Sequence, residues 1–208
     1  MSNLDLGLIG NCSIGALIDR VGKIVWCCLP RFDGDPVFHQ LLGSASGNPD
    51  DGAFTIELVD FQGSEQAYVP NTAILKTTLH GAGGSIEITD FVPRFYTRNR
   101  PFRPQTLIRK VSVKAGKPRI RIKLKPRFGH GAFQPTITFG SNHIRYCGPE
   151  TVLRLTTDAP IDYILQETPF NLDETIHLIL GPDETLSDSP FEIGRKFEEH
   201  TQSYWKTW

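Results

Sequence analysis

Residues 7–43 read GLIGNCSIGALIDRVGKIVWCCLPRFDGDPVFHQLLG, and the fold turns on how that stretch is parsed. Ile14 to Ile18 and Ile24 to Leu29 are rich in β-branched and aromatic residues, which suit a pleated surface. Between them Asp19, Arg20, Val21, Gly22 and Lys23 supply the polar and glycine content that a tight reversal needs. The spacing predicts two apolar strands joined by a turn. The segment from Pro30 to Pro36 then packs two prolines, a glycine, an arginine and two aspartates into seven residues. Such a loop is stiff and holds charge at the end of a sheet, the way a scaffold displays a binding group.

Working outward, the same period continues. Residues 54–58 alternate, as do residues 72–80, and the glycine-rich 80–84 reverses the chain into a partner strand over 85–92. Residues 105–113 and 119–125 are expected to pair with each other around Lys114 to Pro118. Short runs at 135–139, 143–147, 152–156, 161–165 and 175–180 are expected as further strands. Strands at this spacing with turn residues between them predict an all-β chain, a large antiparallel two-sheet β-sandwich, rather than βαβ units. The end differs. Ser189, Pro190 and Glu192 read as a helix start with a capping box, and Ile193, Phe197, Tyr204, Trp205 and Trp208 fall on one helical stripe. The chain is expected to divide into a sandwich domain at 1–188 and a C-terminal linker helix at 189–208.

Composition narrows the function. With 39% hydrophobic and 22% charged residues, the chain suits a globular protein, and no apolar run approaches a membrane span. The amino terminus lacks a basic segment followed by a long apolar one, which predicts a cytoplasmic protein without a secretory signal. Cys12, Cys27, Cys28 and Cys147 form no C-x-x-C pair, and neighbours in a strand such as Cys27 and Cys28 point to opposite faces. Buried reduced thiols are expected, with no metal site and no cofactor; a disulfide or a zinc site is the minor alternative. The six histidines show no ligand spacing, and the chain carries no G-x-S-x-G elbow and no phosphate-loop pattern.

The charges are unevenly spread. Between Arg94 and Arg127 lie 13 of the 22 basic residues and none of the 23 acidic ones. Arg119, Arg121, Lys123 and Lys125 alternate with apolar residues and share one sheet face. A polyanion-binding module is one reading. The overall charge of −1 favours instead a solvated face or an acidic partner domain, and disfavours nucleic acid. The carboxylate pairs Asp33/Asp35, Asp50/Asp51 and Glu198/Glu199 read as solvated or turn-capping rather than as an acid and a base across a sugar-sized cleft. Trp26, inside an apolar strand, reads as core.

These residues carry a resemblance. The block from Gly7 to Gly43 is similar to the amino-terminal signature of the bacterial and archaeal enzymes of glycoside hydrolase family 15, of glucoamylase, glucodextranase and trehalase type. Tyr68-Val69-Pro70-Asn71-Thr72 resembles the family's Y-x-P-N-T segment, and Glu87 to Pro93 its E-x-T-D-F-x-P strand. Leu107 to Val111 and Pro126-Arg127-Phe128 are similar to its R-R-V and P-R-F elements, and Tyr204 to Trp208 to its junction helix. Gly34 stands where the family often has serine, and Cys27 where it often has leucine.

The resemblance implies a non-catalytic N-terminal β-sandwich (a supersandwich) followed by a helical linker into an (α/α)6 barrel. That barrel would be the partner in cis and carry the glutamates that hydrolyse α-glucosidic bonds of an α-glucan or α-glucoside with inversion. This chain alone is then not expected to be an enzyme. The resemblance further implies that Arg31, Phe32 and Asp33 border the substrate entrance and that Phe197, Tyr204, Trp205 and Trp208 dock the domains. In the plainer structural alternative, Arg31 pairs with a nearby carboxylate and Phe32 plugs the sandwich end. A stand-alone carbohydrate-binding module is the alternative function.

Overall fold

A computed structural model describes residues 4–43 and 50–208; residues 1–3, the start of the segment read as lacking a signal, lie outside the described residues. The predicted hairpin is present. Asp19 fixes its turn, its carboxylate accepting from the backbone amides of Val21 and Lys23 at 3.0 and 2.8 Å. Gly22 supplies the left-handed position, with φ of +77°.

In chain order the strands are β1 Gly7–Gly10, β2 Gly15–Ile18, β3 Ile24–Cys28, β4 Pro36–His39, β5 Ala53–Leu58, β6 Phe61–Tyr68, β7 Leu75–Gly81 and β8 Gly84–Phe91. There follow β9 Phe95–Thr97, β10 Arg100–Phe102, β11 Leu107–Gly116, β12 Arg119–Lys125, β13 Thr136–Phe139, β14 His143–Cys147, β15 Val152–Thr157, β16 Phe170–Asn171 and β17 Ile176–Pro182. One sheet runs β1-β2-β3-β5-β12-β16, with β4 also on β3; the other runs β13-β14-β15-β17-β11-β8-β7-β6. All named pairings are antiparallel. The two sheets close on one apolar core, with Ile18, Ile56, Ile120 and Ile122 from the first facing Ile86, Ile88, Val111 and Leu178 from the second.

Two expectations about elements are corrected. Strands 107–116 and 119–125 do not pair with each other. β11 lies between β8 and β17, whereas β12 lies between β5 and β16 in the opposite sheet. Gly116, at φ +71°, and Pro118 turn the chain out of the ladder, and the Lys117 amide donates to Gly83 O at 2.9 Å. The second correction is Ile161–Leu165, a short helix (α1), not a strand. Pro160 precedes it, and Ile161 and Ile164 are buried one helical turn apart.

A buried arginine, ion-paired within the second sheet, ties that sheet to the first. On β11, Arg109 Nε and Nη2 donate to the two carboxylate oxygens of Asp90 on β8, at 2.7 and 3.1 Å. Arg109 Nη1 donates to Phe54 O at 2.9 Å, and Nη2 also donates to Gly22 O. Its guanidinium lies 4.7 Å from the Phe54 ring centroid. One side chain thus fills a carboxylate and two carbonyls from both sheets, which is how a charge with no exposure is tolerated. Burial pushes the Asp90 carboxyl above its ordinary range, against the pull of Arg109.

The terminal helix, α2 Pro190–Thr207, begins as read. Ser189 Oγ accepts from the Glu192 amide at 3.2 Å, and Pro190 sits in the first turn. The helix covers the outer face of the second sheet, where Ile193 packs with Ile74, Phe91, Ile108 and Ile179. Gly194 permits the approach, since a Cβ there would lie 2.2 Å from His177 Cδ2. Among the described residues no helix is long and apolar enough to cross a membrane. All four cysteines are free, but only Cys27 and Cys28 are buried; Cys12 is exposed and Cys147 partly so, which corrects the expectation of four buried thiols.

Candidate functional site at the end of the sandwich

The loop between β3 and β4 forms one face of the candidate site. Arg31 Nε and Nη2 donate to the two oxygens of Asp33 at 2.9 and 2.7 Å, and the Gly34 amide closes the turn on Arg31 O at 3.2 Å. The hydrogen bond from Arg31 holds the Asp33 carboxyl below its ordinary range. Phe32 does not plug the sandwich. Its side chain is 66% exposed and lies over Gly15, because the turn at 31–34 swings it outward.

Two further segments complete a cleft of about 500 Å³, lined by residues 29–31 and 34–37, by residues 127–129 with Phe133, and by residues 149–151. Beyond β12, Phe128 and Phe133 bridge each other across a tight reversal. The reversal exists because Gly129, His130 and Gly131 all take positive φ, at 56°, 54° and 94°. It brings His130 Nδ1 to 3.4 Å from Asp35 Oδ1. Phe128 is buried at the floor, while Phe133 stays 53% exposed. Arg127 Nη2 donates to both oxygens of Asp51, at 2.8 and 2.7 Å. His130, Phe133 and Glu150 were not singled out by sequence, and Asp35 only as half of a carboxylate pair read as solvated or turn-capping. The glycine-flanked His130 after Pro126-Arg127-Phe128 was the available signal.

The stripe on α2 occupies a different place. Phe197 packs at 5.3 and 5.5 Å from the rings of Phe95 and Phe102 on β9 and β10. The Arg94 guanidinium lies 5.1 Å from the Tyr204 ring and 5.5 Å from the Trp205 ring. Trp208 is 86% exposed and borders a groove of about 380 Å³ with Phe95, Tyr96, His200 and Tyr204. The structure therefore does not bring the two sets of predicted residues together. Arg31, Phe32 and Asp33 sit at the loop end, while the aromatic stripe lies on the outer sheet face.

The basic run is neutralised in part. Arg121 pairs with Glu57, Lys123 with Asp50 and Glu57, Lys125 with Glu167, Lys110 with Glu198, and Arg127 with Asp51. The missing acids come from other segments, chiefly β5 and the turn before it. Asp51, read as solvated or turn-capping, lies in the turn before β5 but is buried against Arg127. Of the remaining carboxylates flagged by sequence, Asp35 faces His130 and Glu199 faces Arg195. Among the described residues no group of three or more histidines, cysteines or carboxylates could hold a metal ion.

Many of the signature residues prove to be internal ties. Asn11 is fully buried, its amide donating to Pro93 O and Pro104 O at 2.9 Å while its oxygen accepts from the amides of Ser13 and Ile14. The Tyr68 hydroxyl accepts from the Leu8 amide at 2.7 Å and donates to Leu8 O at 2.9 Å, linking edge strands β6 and β1 of the two sheets.

Comparison with known proteins fits this frame. A family model described as trehalase-like, N-terminal matches residues 4–170. Trehalase 1 of Sulfolobus acidocaldarius is 31% identical over 97% of this chain and 33% of its own length. The trehalase of Mycolicibacterium smegmatis is 24% identical over 98% of this chain and 33% of its own length. The chain thus spans about a third of these relatives. A crystal structure of the YidC insertase superposes with a TM-score of 0.50 at 13% identity, covering all of this chain and 45% of that one, a likeness of fold alone.

Proposed function

Because this chain belongs to the family of trehalase-like N-terminal domains, we propose that it is the non-catalytic N-terminal domain of a larger cytoplasmic hydrolase of glycoside hydrolase family 15. In this reading an (α/α)6 barrel in cis acts on an α-glucoside. Residues 1–188 form the sandwich and 189–208 the helix leading to the barrel. Phe197, Tyr204, Trp205 and Trp208 serve the junction, and the Arg31–Asp33 loop borders the substrate entrance.

The observation that carries the proposal is the pairing of the family match with length, since the related trehalases are about three times as long as the segment they share with this chain. The state of the carboxylates supports it. Inverting hydrolysis needs one carboxyl as acid and another as base on opposite sides of a sugar, and the acids flagged by sequence are bound to cations or face a histidine. The polyanion reading loses its main support, because the basic face carries its own acidic partners. An immunoblot of the source cells with antibody against this chain tests the proposal. A band far heavier than 23.3 kDa is expected, and one at 23.3 kDa overturns it.

A further inference from the structure

We infer that the cleft walled by residues 29–31, 34–37, 127–129, Phe133 and 149–151 is itself a binding site for a neutral sugar. Its volume of about 500 Å³ falls in the range of small-ligand pockets. The chemistry of its walls selects the ligand. Its two arginines are already matched by anions, with Arg31 on Asp33 and Arg127 on Asp51. An anionic ligand gains little from arginines already committed to carboxylates. A polyhydroxy ligand gains more, because charged donors and acceptors make stronger hydrogen bonds than neutral ones. Glu150, exposed on the rim, adds an acceptor with no ion-pair partner among the described residues.

The apolar wall points the same way. Phe133 is half exposed and stands over the cleft beside buried Phe128, offering a ring face to the C–H side of a pyranose. Pro30, Pro36 and Pro149 line the same cleft, and the reversal at 129–131 is held by its backbone bridge. A site built on such stiff segments loses little entropy on binding. The preference for a neutral sugar stands on these walls alone; the choice of an α-glucoside as that sugar rests on the proposed function.

Saturation-transfer NMR and calorimetric titration of the 208-residue chain test the inference. Trehalose and maltotriose are the probes, with lactose as the neutral non-α-glucoside and glucuronate as the anion. Saturable binding of trehalose or maltotriose is expected at about millimolar concentration. Phe133→Ala and Asp35→Ala should each weaken it about tenfold, and Phe133→Tyr should restore it. Tyr96→Ala, in the groove beside α2, should leave it unchanged. Both cleft positions are surface-facing, and near-UV circular dichroism verifies that the variants fold. No saturable neutral-sugar binding, binding indifferent to both cleft substitutions, or preference for glucuronate overturns the inference. Lactose bound as well as trehalose upholds the cleft and counts against the α-glucoside assignment, so the two readings fail separately.

Discussion

Two arginine–aspartate pairs in this molecule share a geometry and differ in surroundings. In both, Nε and Nη2 of the arginine grip the two oxygens of one aspartate. Arg109 and Asp90 have no exposure at all, while the side chains of Arg31 and Asp33 are 71% and 70% exposed. The buried pair spans two strands and also satisfies carbonyls of β5 and the 19–23 turn, so the fold depends on it. The exposed pair lies within one turn, where water solvates both partners and the net gain is small. The same chemistry thus serves architecture in one place and leaves a displaceable polar surface in the other.

Breaking the buried pair should have the largest effect. Arg109→Met leaves the buried Asp90 carboxyl and two carbonyls without their guanidinium donor, and should destabilise the chain by about 3–5 kcal/mol, read from urea unfolding. Replacing Asp90 by Leu as well should recover only part, because the carbonyls of Phe54 and Gly22 remain without a donor. Full recovery would mean that the carbonyl bonds contribute nothing.

Much of this architecture was legible beforehand, for local reasons. The hairpin at 15–28, the reversal at 81–84 and the Ser189 cap each depend on residues within a few positions of one another. The errors arose where partners are distant. A turn such as Lys114–Pro118 says that the chain reverses, not which sheet receives the next strand, and β11 and β12 part there. The run at 161–165 is too short for periodicity to separate helix from strand. The cleft was invisible for the same reason: Asp35, Phe133 and Glu150 come from three separated segments, and no local spacing records their meeting. The run of basic residues looked uncompensated only because Asp50, Asp51 and Glu57 approach it from a different stretch.

An intermediate effect is expected where α2 meets the sheet. Gly194→Ala forces a methyl into His177, and overpacking of this kind costs about 1–3 kcal/mol. Faster amide exchange confined to residues 190–207 and to β17 would locate the damage, while the sandwich core keeps its protection.

The smallest effect belongs to the exposed pair. Arg31→Ala should leave the unfolding midpoint unchanged within error. Its signature is titration: Arg31 holds the Asp33 carboxyl below its ordinary range. A depressed carboxyl contributes its stabilisation above the unfolded pKa and loses it as pH falls through the folded one. In Arg31→Ala the Asp33 carbon resonance should therefore titrate at higher pH than in the unaltered chain. An Asp33 titration unchanged by the substitution would mean that the pair does not persist in solution.

The central claim, that this chain supports a catalytic domain without containing one, is tested most directly by glucose release from trehalose and maltotriose. The isolated 208-residue chain and the full-length gene product are assayed side by side. The account predicts turnover by the full-length product and none by the isolated chain. Glucose released by the isolated chain would contradict it.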